Sequence, residues 1–139
     1  MSQVIPVESK KLRWGILGAA RVNERLLPAI VEAPNSELVA IASRRPGAAA
    51  ETLKKYAPQL AGVNTYDSLE ALLNDPVVQA VYIPLANEEH GAWALKAIAA
   101  GKHVLIEKPM AITVADIDAI TAAAARSNVK VMEGFMYRF

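Results

Sequence analysis

Glu107 and Lys108 close the stretch Gly101-Lys102-His103-Val104-Leu105-Ile106-Glu107-Lys108-Pro109, where an apolar run gives way to an acid, a base and a proline. A lysine ammonium can hydrogen-bond an oxygen that gains charge during a reaction, or move a proton to or from it. Burial beside a ligand tunes such a lysine toward neutral pH. Pro109 disfavours helix at Lys108 and ends the strand before it. In an open α/β sheet, ligands bind where strands end in this way. Glu107 is placed to hold the lysine. A Schiff base is also chemically open to Lys108, and an ordinary solvated turn is the structural alternative.

A second chemical signal is Gly18-Ala19-Ala20-Arg21-Val22-Asn23, which follows the apolar Trp14-Gly15-Ile16-Leu17. A dinucleotide site needs a strand, a tight glycine turn, a small residue where backbone meets pyrophosphate, and a helix whose free N–H groups face that charge. Gly18 keeps the first position of that pattern, while alanine and asparagine fill the second and third. Alone, such a turn is more often structural; its strand–turn–helix setting favours a cofactor.

Ser43-Arg44-Arg45 stands where a second strand ends, a position at which an Asp or Glu reads the ribose of NAD. Two guanidinium groups and a hydroxyl suit a 2′-phosphate instead, because arginine meets phosphate oxygens in a bidentate fork. NADP is therefore the expected cofactor, with NAD and a plain basic loop as alternatives. Pro84-Leu85-Ala86-Asn87 marks another strand exit, so Asn87 and His90 border the same crevice. His103, inside a strand, reads as a packed core histidine. Trp14 is expected close enough to the glycine turn to report on binding.

These side chains need elements to carry them. Residues 12–18 read as a strand, 21–33 as a helix that Pro28 kinks or restarts, and 37–43 as a strand buried on both faces. Residues 47–57 follow as a helix after Pro46, 64–67 as a short strand, and 68–73 as a helix stopped by Asn74-Asp75-Pro76. Then come a strand over 77–83, a helix over 87–100 ended by Gly101, and a strand over 103–106. A helix capped by Thr113 and a last strand over 129–132 complete the alternation. Alternating strands and helices imply a doubly wound α/β fold with a mostly parallel sheet. The alanine runs 48–50 and 122–125 fit tight packing of helices on that sheet.

The chain has 139 residues, 53% of them hydrophobic and 21% charged, which suits one domain spanning 1–139. A net charge of +1, with basic residues scattered, gives no nucleic-acid footprint. No apolar run is long enough to cross a bilayer. The absence of cysteine excludes disulfides and thiolate metal sites, and two histidines are too few for a convincing metal centre. Residues 1–10 lack the apolar core of a secretory signal, so a cytoplasmic protein is expected.

Together, residues 14–21, 41–45, 84–90, 101–109 and 133–139 resemble the amino-terminal domain of the glucose-fructose oxidoreductase, inositol dehydrogenase and MocA family of NAD(P)-dependent oxidoreductases. The pattern is most similar to the NADP-using branch with dihydrodiol and D-xylose dehydrogenases. The resemblance implies pyrophosphate contacts at Gly18, Ala19, Ala20 and Arg21, and ribose-phosphate contacts at Ser43, Arg44 and Arg45. It implies nicotinamide-side contacts from Pro84, Leu85, Asn87, His90, Glu107 and Lys108, with Lys108 catalytic and Arg138 reaching the cofactor.

Members of the family continue into a substrate domain, and this chain is expected to lack it. The implied activity is hydride transfer between the nicotinamide and a sugar, polyol or related hydroxyl or carbonyl compound, poorly performed by this chain alone. Apolar surface at Phe135, Met136 and Phe139 would then be left for a homo-oligomer or a complementing substrate domain. The rival reading is a non-catalytic nucleotide-binding or scaffold protein on the same fold.

Overall fold

Runs such as Ala80-Val81-Tyr82-Ile83 carry apolar side chains at successive positions, and a strand of that kind is stable only with both faces covered. The computed structural model describes residues 10–138 and arranges them in this way. Strands β1 (Leu12–Leu17), β2 (Ser36–Ala42), β3 (Asn64–Tyr66), β4 (Ala80–Ile83), β5 (His103–Glu107) and β6 (Val131–Gly134) form one sheet, ordered β3-β2-β1-β4-β5-β6. Every neighbouring pair is parallel. Helices α1 (Asn23–Glu32), α2 (Ala48–Tyr56), α3 (Leu69–Leu73), α4 (His90–Ala99) and α5 (Val114–Ser127) make the crossovers. This is the doubly wound, Rossmann-like α/β arrangement expected from the sequence.

Side chains alternate across the sheet, so the core divides in two. On one face Ile16, Ile41 and Tyr82 pack with Leu27 and Ile30 of α1 and Ala49 of α2. On the other, Leu17, Val81, Ile83 and Ile106 pack with Leu69 and Leu72 of α3, Trp93 and Ile98 of α4, and Ile120 of α5. Because β2 and β3 lie on one side of β1 and β4 to β6 on the other, the order reverses between β1 and β4. The crevice opens at that reversal. No helix of the described residues is long and apolar enough to cross a membrane.

Several element boundaries differ from the sequence reading. Helix α1 begins at Asn23, after turns that join Asn23 N–H to Ala20 O and Glu24 N–H to Arg21 O. It then runs through Pro28 as one element. The carbonyl that loses its donor to the proline belongs to Glu24, an exposed residue of the first turn that water can serve. Strand β4 starts only at Ala80, because Val77 N–H turns back onto Asp75 Oδ1 at 2.9 Å. Strand β6 is displaced toward the C-terminus, since Asn128 adopts the left-handed conformation (φ 53) and Val129 N–H closes α5 on Ala124 O. Of the 122–125 alanine run only Ala124 is buried.

Candidate functional site

Strand β1 ends where Gly18 takes φ +128, a conformation that a side chain would strain, and a Cβ there would lie 3.0 Å from Leu85 Cδ2. Gly18 N–H donates to Ala42 O at 2.8 Å, tying the turn to β2. Asn23, fully buried, donates from Nδ2 to Gly18 O at 2.9 Å and locks the turn onto the first residue of α1. The sequence reading counted Asn23 only as a weakened glycine position, whereas the structure makes it the clamp. Its Oδ1 is the buried side-chain atom without a partner among the described residues.

Among the described residues the N–H groups of Ala19, Ala20, Arg21 and Val22 meet no protein acceptor. Free donors at a helix entrance, beside a turn that allows close backbone approach, suit a pyrophosphate. The residues present therefore fit an anionic dinucleotide.

Two clefts meet at this turn. One, of about 310 Å³, lies at the β1–β4 reversal and includes Gly18, Ser43, Arg44, Pro84, Leu85 and Glu89 in its walls. The other, of about 480 Å³, runs between α1 and α2 and includes Arg21, Arg45, Lys55 and Tyr56. Ala19, Ala20 and Arg45 belong to both. Ser43 is buried, and its hydroxyl accepts from Arg45 N–H at 3.2 Å, which shapes the loop. Arg45 is exposed and has no carboxylate partner among the described residues. Arg44, by contrast, is paired with Glu89 through both guanidinium nitrogens, one of them at 2.9 Å. That pairing holds the Glu89 carboxyl below its ordinary range and the guanidinium above its own.

Lys108 lies just beyond β5, exposed, with no hydrogen bond or ion pair among the described residues. Three side chains fix the segment that presents it. Tyr82, buried in β4, donates to Glu107 Oε1 at 2.5 Å. Burial first, and then that carboxylate, push the phenol far above its ordinary range. Glu133 of β6 accepts from Met110 N–H at 2.8 Å. His90 lies between two carbonyls, with Nδ1 2.6 Å from Pro109 O and Nε2 2.8 Å from Leu85 O. The Lys108–Pro109 peptide bond is cis.

His90 therefore differs from the expectation that it touches the cofactor. It is fully buried with both ring nitrogens facing protein acceptors, and it joins the Pro84–Leu85 loop to the Lys108–Pro109 loop from behind. Asn87 is exposed on the short 3-10 turn before α4 and is not among the residues lining the two clefts. Arg138 sits exposed on the 3-10 turn after β6 and lines neither cleft. Glu107 turns its carboxylate toward Tyr82, so its described partner is that phenol and not Lys108. His103 is half-buried at the start of β5, where Nδ1 accepts from Lys130 N–H at 3.0 Å. Trp14 bonds Ser36 Oγ at 3.3 Å where β1 and β2 begin, at the opposite end of the sheet from the turn. Phe139 lies outside the described residues.

Sequence reasoning missed Tyr82, Glu89 and Glu133. Tyr82 carried a detectable signal, a phenol in an otherwise apolar buried strand that needs a hydrogen-bond partner. Glu89 and Glu133 carried none, because each acts on a residue far along the chain.

Residues 12–135 match an oxidoreductase family described by its NAD-binding Rossmann fold. An uncharacterized oxidoreductase of Rhizobium meliloti is 37% identical over 129 residues, covering 91% of this chain and 37% of that protein. The NADP(+)-dependent D-xylose 1-dehydrogenase 2 of Haloferax volcanii is 38% identical over 128 residues, covering 92% of this chain and 38% of that protein. Among solved structures, the 3-ketoreductase KijD10 of Actinomadura kijaniata, in complex with NADP and TDP-benzene, is similar with a TM-score of 0.86 and 35% identity. That match covers 93% of this chain and 38% of the ketoreductase. The chain thus spans less than two-fifths of the length of these relatives.

Proposed function

This chain belongs to the oxidoreductase family with an NAD-binding Rossmann fold, and from that membership we propose that it is the cofactor-binding part of an NADP-dependent oxidoreductase acting on a sugar, polyol or related hydroxyl or carbonyl compound. One observation carries the cofactor choice. The end of β2 offers Ser43, Arg44 and Arg45, the last unpaired among the described residues, to the crevice where an NAD-preferring site would place a carboxylate. The relatives named for NADP support the same choice.

The free N–H groups of residues 19–22 hold the pyrophosphate, with Arg21 beside them, and Arg45 meets the 2′-phosphate. Pro84 and Leu85 wall the crevice beyond the turn. When bound, the nicotinamide donates or accepts the hydride. Lys108 hydrogen-bonds the substrate oxygen and moves its proton. Glu107, held by Tyr82, and Met110, held by Glu133, keep the loop on either side of the lysine in place. Lys108 supplies one contact toward substrate positioning, whose effective molarity can account for about 7 to 11 kcal/mol of a barrier. Exposed Val114, Met136 and Tyr137 offer apolar surface for a substrate domain or a second copy.

The test is a titration with NADPH and NADH followed by the fluorescence of the cofactor itself, since Trp14 lies at the far end of the sheet. NADPH is expected to bind more tightly, with the preference lost in Arg45→Ala. Equal affinities, or no binding of either cofactor, would overturn the NADP assignment.

A further inference from the structure

The two adjacent arginines after β2 do not stand in the same electrostatic state. Arg45 is free among the described residues, but Arg44 reaches from the β2 side to Glu89, on the 3-10 turn that follows β4. Both Arg44 and Glu89 line the cleft of about 310 Å³, so the ion pair spans its mouth. A carboxylate presents to a guanidinium fork much the same pair of oxygens that a phosphate does. Two arginines alone would give the loop a charge of +2, and Glu89 reduces it to +1 at the place where a 2′-phosphate would arrive.

We propose that Glu89 sets how strongly this site prefers a 2′-phosphorylated dinucleotide, by competing with that phosphate for the Arg44 guanidinium. The inference rests on the cofactor reading above. In the free protein Arg44 is neutralised and held across the cleft. Phosphate binding must draw Arg44 away from Glu89, or share it against the repulsion of a nearby carboxylate. Either route lowers the gain from the second arginine. The side chains are 56% and 26% exposed, so the penalty is modest and sensitive to salt. A dinucleotide without the 2′-phosphate has no such competitor.

The experiment measures dissociation constants for NADPH and NADH with the wild-type chain, Glu89→Gln, Glu89→Leu and Arg45→Ala, at low salt and at about 1 M salt, where the Debye length is about 3 Å. Glu89→Gln keeps a hydrogen-bonding group facing Arg44 and removes the charge. Its ratio of NADPH to NADH affinity is expected to rise about two- to fivefold, the range of one partly exposed charge pair. Glu89→Leu should raise the ratio as well, and both gains should shrink at high salt. An unchanged or lower ratio in Glu89→Gln overturns the proposal, as does a change confined to Glu89→Leu, which would assign the effect to loop geometry. If Arg45→Ala loses the NADPH preference while Glu89→Gln leaves it unaltered, the cofactor site stands and only the role of Glu89 falls. Binding of neither cofactor by the wild-type chain removes both.

Discussion

Lys102 precedes β5 and Lys108 follows it, and the two ammonium groups meet opposite environments. Lys102 is buried and donates to Asp75 O and Val78 O, each at 2.7 Å, so it fastens the α3–β4 loop beneath the sheet. Burial pushes it below the ordinary lysine range, and Asp75 offsets part of that. Lys108 is exposed and without a partner among the described residues, while His90 and Glu133 hold backbone groups beside it and Tyr82 holds the Glu107 carboxylate.

The same contrast runs along the whole sheet. Where the strands begin, polar groups are paired: Arg13 N–H with Gln79 Oε1, Asn64 Nδ2 with Asp75 Oδ2, and Trp14 with Ser36. Where they end, the N–H groups of residues 19–22 and the side chains of Arg45 and Lys108 remain unpartnered among the described residues. The strand starts use these groups for stability, while the strand ends combine structural pairs such as Tyr82–Glu107 and Arg44–Glu89 with groups left open among the described residues.

The sharpest way to break this comparison is Lys108→Met in the full-length protein. Hydride transfer should fall by roughly 10² to 10⁴, the usual contribution of a proton-handling side chain. NADPH affinity should change little, and thermal stability should stay near that of the parent. Steady-state kinetics beside a melting curve would reveal a destabilised fold with normal turnover, the result that would reverse the two lysines.

Lys102→Met should do the converse. Two buried carbonyls lose their donor, at a cost of about 2 to 4 kcal/mol, while cofactor binding by the remaining folded protein is kept. Urea unfolding measures the loss, and a cost under about 0.5 kcal/mol would remove the structural role.

Tyr82→Phe tests the edge where structure and chemistry meet. Loss of the phenol hydroxyl should cost about 1 kcal/mol and release Glu107. Because the hydroxyl acts on Lys108 only through that loop, kcat should fall more than cofactor affinity does. Equal kcat in the two proteins would confine Tyr82 to packing.

The smallest effect concerns pH. Burial pushes the Asp75 carboxyl up, but hydrogen bonds from Val77 N–H, Tyr66 and Asn64, with the charge of Lys102, outweigh it and hold the carboxyl below its ordinary range. A depressed carboxylate stabilises the fold above its unfolded pKa of about 4, and that contribution is lost as pH falls through the lower folded value. Stability below pH 4 should therefore decline less steeply in Asp75→Asn than in the parent, as read from unfolding midpoints. Parallel profiles would mean that other carboxylates govern acid stability.

Much of this was legible from local pattern. The buried strands, the glycine turn and the Ser43-Arg44-Arg45 loop all follow from residues close in sequence, because periodicity and turn chemistry act over a few positions. Boundaries near Asn23, Val77 and Asn128 differ where turn, side-chain or capping bonds override propensity. His90 was read as a ligand residue because it follows a strand exit. Its real partners, Leu85 O and Pro109 O, include one 19 residues away.

Short runs of apolar, glycine, proline and charged residues were enough to set the kind of fold, the family and the strand ends proposed to face a ligand. Packing over long sequence separations settles which polar groups hold the fold and which stay open among the described residues. Lys102 and Lys108, or Arg44 and Arg45, are indistinguishable as residue types. What separates them is the distant carbonyl or carboxylate that packing brings within 3 Å of one and not the other.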